Sequence, residues 1–194
     1  QYPDRKMAIS GKWPRFTFTY KKGMPNIINS KSDFDQWRFT IQDDMSLKLF
    51  GNFSYNLSAG GFINTKYVSI PDLAHLYGNR GIGYASPYLH SFQFAPYYDF
   101  SNKESNYYEA HVEYHLRGLL SNKIPLLRQA RWYLLCGGNA FYVGDKFYYT
   151  EGFVGLDNIG FKLVRVLRID FVQAWDSRMG HNSGIRFSLN VDGG

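Results

Sequence analysis

The sequence predicts an all-β fold, an antiparallel transmembrane β-barrel with about eight strands in this chain. Three observations predict it. Aromatic residues make up 19% of the 194 residues and charged residues 20%, yet mean hydropathy is −0.36, so large rings and polar groups must be finely interleaved. The interleaving has period two over segments of about nine to eleven residues, the length of a tilted membrane crossing. No run of 18 or more apolar residues offers a transmembrane helix instead.

The segments follow in order. Phe16, Phe18 and Tyr20 alternate with Arg15, Thr17, Thr19 and Lys21. Trp37, Phe39 and Ile41 alternate with Arg38, Thr40 and Gln42. Leu49, Phe53, Tyr55, Leu57 and Ala59 oppose Asn52, Ser54, Asn56 and Ser58. The clearest run sets Tyr108, Ala110, Val112, Tyr114 and Leu116 against Glu109, His111, Glu113, His115 and Arg117. Arg131–Tyr142, Tyr149–Asp157 and Arg165–Trp175 alternate less cleanly, and the last run sets Ile185, Phe187, Leu189 and Val191 against Arg186, Ser188 and Asn190.

The connections alternate between short and long, as periplasmic turns and outer loops do in such barrels. Asp43–Ser46 reads as a tight turn and Asp157–Leu163 as a modest one, whereas Lys22–Phe34 is longer and residues 63–106 form a long outer loop. Ser91–Phe100 also alternates, but counting it gives nine strands and puts the two ends on opposite sides. An even strand count assigns it to the loop. Leu119–Ala130 is long for an inner turn, and Ile124-Pro125-Leu126-Leu127 reads there as a small plug or helical turn.

Other classes find little support. The net charge of +6 is dispersed rather than gathered into a basic run, so nucleic-acid binding is not expected. One cysteine, Cys136, excludes a disulfide framework and a cysteine metal site. No cofactor motif is present, and no cofactor is expected. Asp176, Ser177, His181 and Ser183 have the residue types of a hydrolytic triad but lack a nucleophile elbow, and read as turn residues. Trp13, Trp132, Trp175 and the pairs Tyr97-Tyr98 and Tyr107-Tyr108 fall near strand ends, as an interfacial aromatic girdle would.

Residues 155–159 (Gly-Leu-Asp-Asn-Ile) and 163–171 (Leu-Val-Arg-Val-Leu-Arg-Ile-Asp-Phe) resemble the end of an uncharacterised Bacteroidetes outer-membrane family. Its members carry an N-terminal carboxypeptidase-regulatory-like domain ahead of a barrel. Residues 118–127 and Trp13-Pro14-Arg15-Phe16 are similar to that family too. The resemblance implies that the chain is the C-terminal part of a longer protein, or a truncated relative. A more distant similarity, through Leu167–Phe171 and Gly184–Ser188, is to the barrel-assembly and two-partner-secretion superfamily. That similarity implies half of a sixteen-stranded barrel, and a loop whose Arg-Gly pair enters the barrel to meet an acidic strand residue. Arg80-Gly81 occupies the comparable loop, followed by Ile82 where an aromatic is usual.

The candidate lumen and loop-plug residues are therefore Arg80, Gly81, Glu109, Glu113, Arg168 and Asp170. Arg80 pairs with Glu109, Glu113 or Asp170 if the loop inserts, and is a solvated loop arginine if it does not. Glu109, His111, Glu113 and His115 share a face, but successive same-face residues lie about 6.5–7 Å apart. A polar lumen wall balanced by Arg117, Arg131, Arg168 and Arg186 fits them better than a metal site.

The functional expectation is a non-enzymatic barrel in the bacterial outer membrane, acting in envelope assembly, export or transport. Its partners would be outer-membrane lipid, other envelope proteins or the N-terminal part of the same protein. A soluble lipocalin-like ligand-binding barrel is the first alternative. The second is an outer-membrane barrel enzyme using His75, His90, Asp99 and His181.

Overall fold

Eight strands form one antiparallel sheet in sequence order: β1 (Arg15–Gly23), β2 (Asp33–Ser46), β3 (Asn52–Tyr67), β4 (Tyr107–Leu116), β5 (Tyr133–Val143), β6 (Phe147–Phe161), β7 (Val164–Asp176) and β8 (Gly180–Leu189). The computed structural model describes residues 13–27, 30–79, 87–96, 98–116, 123–144, 146–161, 164–178 and 180–189. Among these, β1 and β8 are the end strands. A short helix, α1 (Pro125–Ala130), lies in the β4–β5 connection, where a small plug or a helical turn was expected.

Register turns the alternation into two faces, because neighbouring partners point the same way. Leu57 pairs with Ile41 and Ala110, Cys136 with Tyr114 and Val154, and Phe171 with Val154 and Ile185. This face is uncovered: Phe16, Phe18, Leu57, Phe171, Ile185 and Phe187 are all exposed. The opposite parity carries Arg38, Glu109, His111, Glu113, Glu151, Arg168, Asp170 and Arg186. It is covered by the segment joining β3 to β4.

That segment spans residues 68–106, so the loop expected at 63–106 is shorter by the last turn of β3, which continues to Tyr67. Asp43–Ser46 lies within β2, and the turn itself is residues 47–51, with a 3-10 turn at Lys48–Phe50. The cause is length: fourteen and sixteen residues in β2 and β3 outrun the clean alternation at their ends. Within Ser91–Phe100 no described residue belongs to a strand of the sheet. Phe92 makes an isolated bridge to Gly78.

Residues 88–94 of the segment reach six successive strands: Asn56 of β3, His111 of β4, Asn139 of β5, Glu151 of β6, Arg168 of β7 and Arg186 of β8. Laid flat, those strands would cover about 24 Å, five spacings of about 4.8 Å. One short turn meets all of them when the sheet curls about it.

The covered face is not wholly polar. Leu76, Phe92, Ala95 and Phe100 of the segment pack on Tyr107, Phe141, Val143 and Tyr149 of the strands. Leu135, Phe153 and Val172 pack around Tyr88. A purely polar wall was the expectation. The difference arises because the segment must bury its own rings, and β5, β6 and β7 supply apolar side chains on this side as well.

Candidate functional site

Two charged clusters stand on the covered face. In the first, Arg168 of β7 donates from Nη1 to Glu113 of β4 at 2.9 Å and from Nε to Asp170 at 2.8 Å. All three side chains are buried. The guanidinium lies 4.1 Å from the centre of the Tyr88 ring, so the segment caps it. Tyr88 is itself buried, which pushes its hydroxyl pKa above the ordinary value. Glu113 also meets His115 Nε2 at 2.5 Å. A buried arginine between two carboxylates is the planar, charge-assisted geometry that keeps ions tolerable away from water.

The second cluster begins at Arg38 of β2, which donates to Glu109 of β4 at 2.6 Å. The other Glu109 oxygen faces His111 Nε2 at 3.0 Å, and His111 Nδ1 faces Asn139 Oδ1 at 3.0 Å. Asn139 in turn donates to Glu151 at 2.6 Å. Glu151 closes the chain on the segment. Its carboxylate accepts the backbone N–H of Gln93 at 2.8 and 2.9 Å, that of Phe94 at 3.3 Å and the Tyr149 hydroxyl at 2.7 Å. Arg186 of β8 donates to the Gln93 carbonyl at 2.5 Å. The Gln93 backbone is thus held at its N–H by Glu151 and at its carbonyl by Arg186.

Of the expected residues, Glu113, Arg168 and Asp170 come together, while Glu109 belongs to the neighbouring cluster. Arg80 and Gly81 lie outside the described residues, as does Arg117. Each of the carboxylates that Arg80 would meet if its loop inserts has a basic partner among the described residues: Arg38 and His111 at Glu109, Arg168 and His115 at Glu113, and Arg168 at Asp170. The described part of the segment is secured by Glu151, Tyr88 and Arg186, with Asn56 donating to the Leu89 carbonyl at 2.9 Å. Sequence reasoning missed Glu151 and Arg38. The available signal was their parity, which puts both on the charged side of their strands.

The hydrolytic residue types are not assembled. Ser177 Oγ accepts the Tyr148 backbone N–H at 3.1 Å and Asp176 Oδ1 that of Arg178 at 2.8 Å, both in the β7–β8 turn. His181 and Ser183 are on β8. The rim candidates are dispersed as well: His75 contacts Ser101, His90 contacts Asn56 and Asp99 pairs with Arg178. Among the described residues no group of three or more His, Cys, Asp or Glu could hold a metal ion.

No curated protein and no solved structure matches the chain. A family model matches residues 1–156, ending within β6, although the sheet continues unbroken through β7 and β8. On that match, the chain belongs to the C-terminal domain of a family of unknown function (DUF5686).

Proposed function

We propose that this chain forms a sector of an outer-membrane β-barrel with more than eight strands. The described residues between β3 and β4 plug its interior, and it serves the passage, export or assembly of envelope components rather than catalysis. The observation that carries this reading is the inverted polarity of the sheet. Phe16, Phe18, Leu57, Val154, Phe171, Ile185 and Phe187 lie exposed on one face, whereas Glu109, Glu113, Glu151, Arg168, Asp170 and Arg186 are buried on the other. A soluble lipocalin-like barrel would bury the first set and solvate the second. Rows of rings at the strand ends support the same reading. Tyr108, Tyr142 and Tyr148 are successive register partners on β4, β5 and β6, and Phe53 pairs with Tyr114 at the opposite end. Two such rows fit the two interfaces of a bilayer.

More than eight strands are inferred from the contents. An eight-stranded barrel has room for its own side chains or one small ligand, but here Leu76, Phe92, Gln93, Ala95 and Phe100 of a long segment are completely buried against the sheet. The end strands β1 and β8 then pair with strands from the rest of the same protein or from another envelope protein. Outer-membrane lipid covers the apolar face.

Membrane fractionation tests the reading. The protein should stay in the pellet after carbonate washing, and its folded form should migrate differently on unboiled and boiled gels. Carbonate-extractable protein, with or without the preceding part of the protein added back, would exclude it.

A further inference from the structure

The plugging segment does not cover the charged parity evenly. It seals the side chains of β4 to β7, but the same parity on β1 remains open: Arg15, Thr17, Thr19 and Lys21 are all exposed. Their register partners on β2 are Gln42, Thr40, Arg38 and Gln36. These eight side chains comprise three cations, three hydroxyls and two amides, without a carboxylate, and with Arg38 paired to Glu109 the open charge is that of Arg15 and Lys21. The nearest acids are committed or displaced. Glu109 is taken by Arg38 and His111. Asp35 points with the other parity and holds Lys22 at 2.9 Å and the Tyr20 hydroxyl at 2.6 Å. Asp44 lies beyond Gln42, toward the β2–β3 turn. Arg15 and Lys21 have no ion-pair partner among the described residues.

At the plug end of this strip a cleft of about 290 Å³ opens between the strands and the segment. Thr19, Lys21, Gln36 and Arg38 line it from the strands, and His75 and Tyr77 from the segment, beside the apolar Pro71, Leu73 and Ala74. His75 is braced by the Ser101 hydroxyl at 2.8 Å and by the Tyr98 ring, 4.8 Å away. An unpaired lysine beside hydroxyl and amide donors, with an imidazole and a phenol opposite, offers groups that coordinate an oxyanion.

We infer that this strip and its cleft accept small anionic solutes bearing phosphate or carboxylate groups, and that they form the basic wall of the channel the plug leaves open. The inference deepens the barrel reading. Its test reads the charge of the strip whether or not the sheet lies in a bilayer, so the two can fail separately.

The experiment places a thiol at Thr19 (Thr19→Cys with Cys136→Ala) in the full chain. It compares labelling rates with a sulfonate-bearing and a trimethylammonium-bearing methanethiosulfonate, each normalised to the urea-unfolded protein. A local potential of about one kT gives the anionic reagent an advantage on the order of sevenfold. The advantage should shrink with added salt and fall at least twofold with Lys21→Gln. Inorganic pyrophosphate should slow labelling more than sodium chloride of equal ionic strength. Equal rates, a faster cationic reagent, or a ratio indifferent to Lys21→Gln would overturn the inference. Failure of pyrophosphate to compete would overturn it as a binding cleft. If Thr19→Cys does not fold, Thr17→Cys, one step along the same open parity, carries the same comparison.

Discussion

The carboxylate of Glu151 receives the backbone N–H of Gln93 on both of its oxygens, at 2.8 and 2.9 Å, across 58 positions of sequence. A strand residue thereby holds the main chain of the plugging segment, and no cation is among the partners found for that carboxylate. Glu151→Ala leaves the Gln93 and Phe94 donors and the Asn139 amide without their acceptor, at a cost of about 2–4 kcal/mol. Protease cleavage between residues 87 and 96 should accelerate while the strands stay protected. Glu151→Gln, which keeps one acceptor oxygen, should fall between wild type and Ala. Unchanged cleavage in Glu151→Ala would remove the anchoring role.

Arg168 is the cation shared by Glu113 and Asp170, so its removal strands the buried Asp170 and leaves Glu113 with His115 alone. Arg168→Met should destabilise the fold by about 3–5 kcal/mol. Combining it with Glu113→Gln and Asp170→Asn should recover more than half of that loss, because the charges left unpaired are then gone. Denaturant titration of the single and triple variants checks the ordering. A triple variant less stable than the single one would contradict it.

Two glycines of β6, three residues apart, separate packing from propensity. A Cβ on Gly155 would stand 2.0 Å from Asp170 Oδ1 and 2.6 Å from the Ile169 carbonyl, whereas one on Gly152 meets nothing within 4 Å. Gly155→Ala should therefore cost about 1–3 kcal/mol by forcing strand and carboxylate apart. Gly152→Ala should lie within about 0.5 kcal/mol of wild type. Thermal or denaturant unfolding of the two variants gives the comparison directly.

The face left bare by the fold predicts a dependence on the surrounding medium. Phe171 is 48% exposed in the middle of β7. Phe171→Lys should reduce folding into lipid vesicles by about 2–4 kcal/mol, the usual cost of a lysine facing the hydrocarbon midplane. A soluble protein would accept the same change at an exposed position with little effect.

Much of the sheet was legible in the sequence. Tyr108–Leu116 and Arg15–Lys21 alternate because each has one bare apolar side and one polar side, whether the polar side is open or paired. β5 to β7 were harder to read because Leu135, Phe141, Phe153 and Val172 are also needed beneath the plug, which blurs period two. Glu113, Arg168 and Asp170 could be singled out by parity alone. The role of Glu151 could not, since its partner is a backbone N–H and carries no residue-type signature. Nor could alternation locate the ends of β2 and β3, where the strands run on into exposed residues.

The most direct test of the inverted polarity uses one tryptophan at a time, with the native tryptophans replaced by Phe. Phe171→Trp reports from the bare face and Phe92→Trp from beneath the plug, where Phe92 is completely buried between His111, Phe141 and Tyr149. In vesicles of lipid brominated deep in the acyl chains, the fluorescence at 171 should be strongly quenched and that at 92 nearly unaffected. If neither is quenched, or 92 is quenched more than 171, the apolar face does not meet lipid and the barrel reading is wrong.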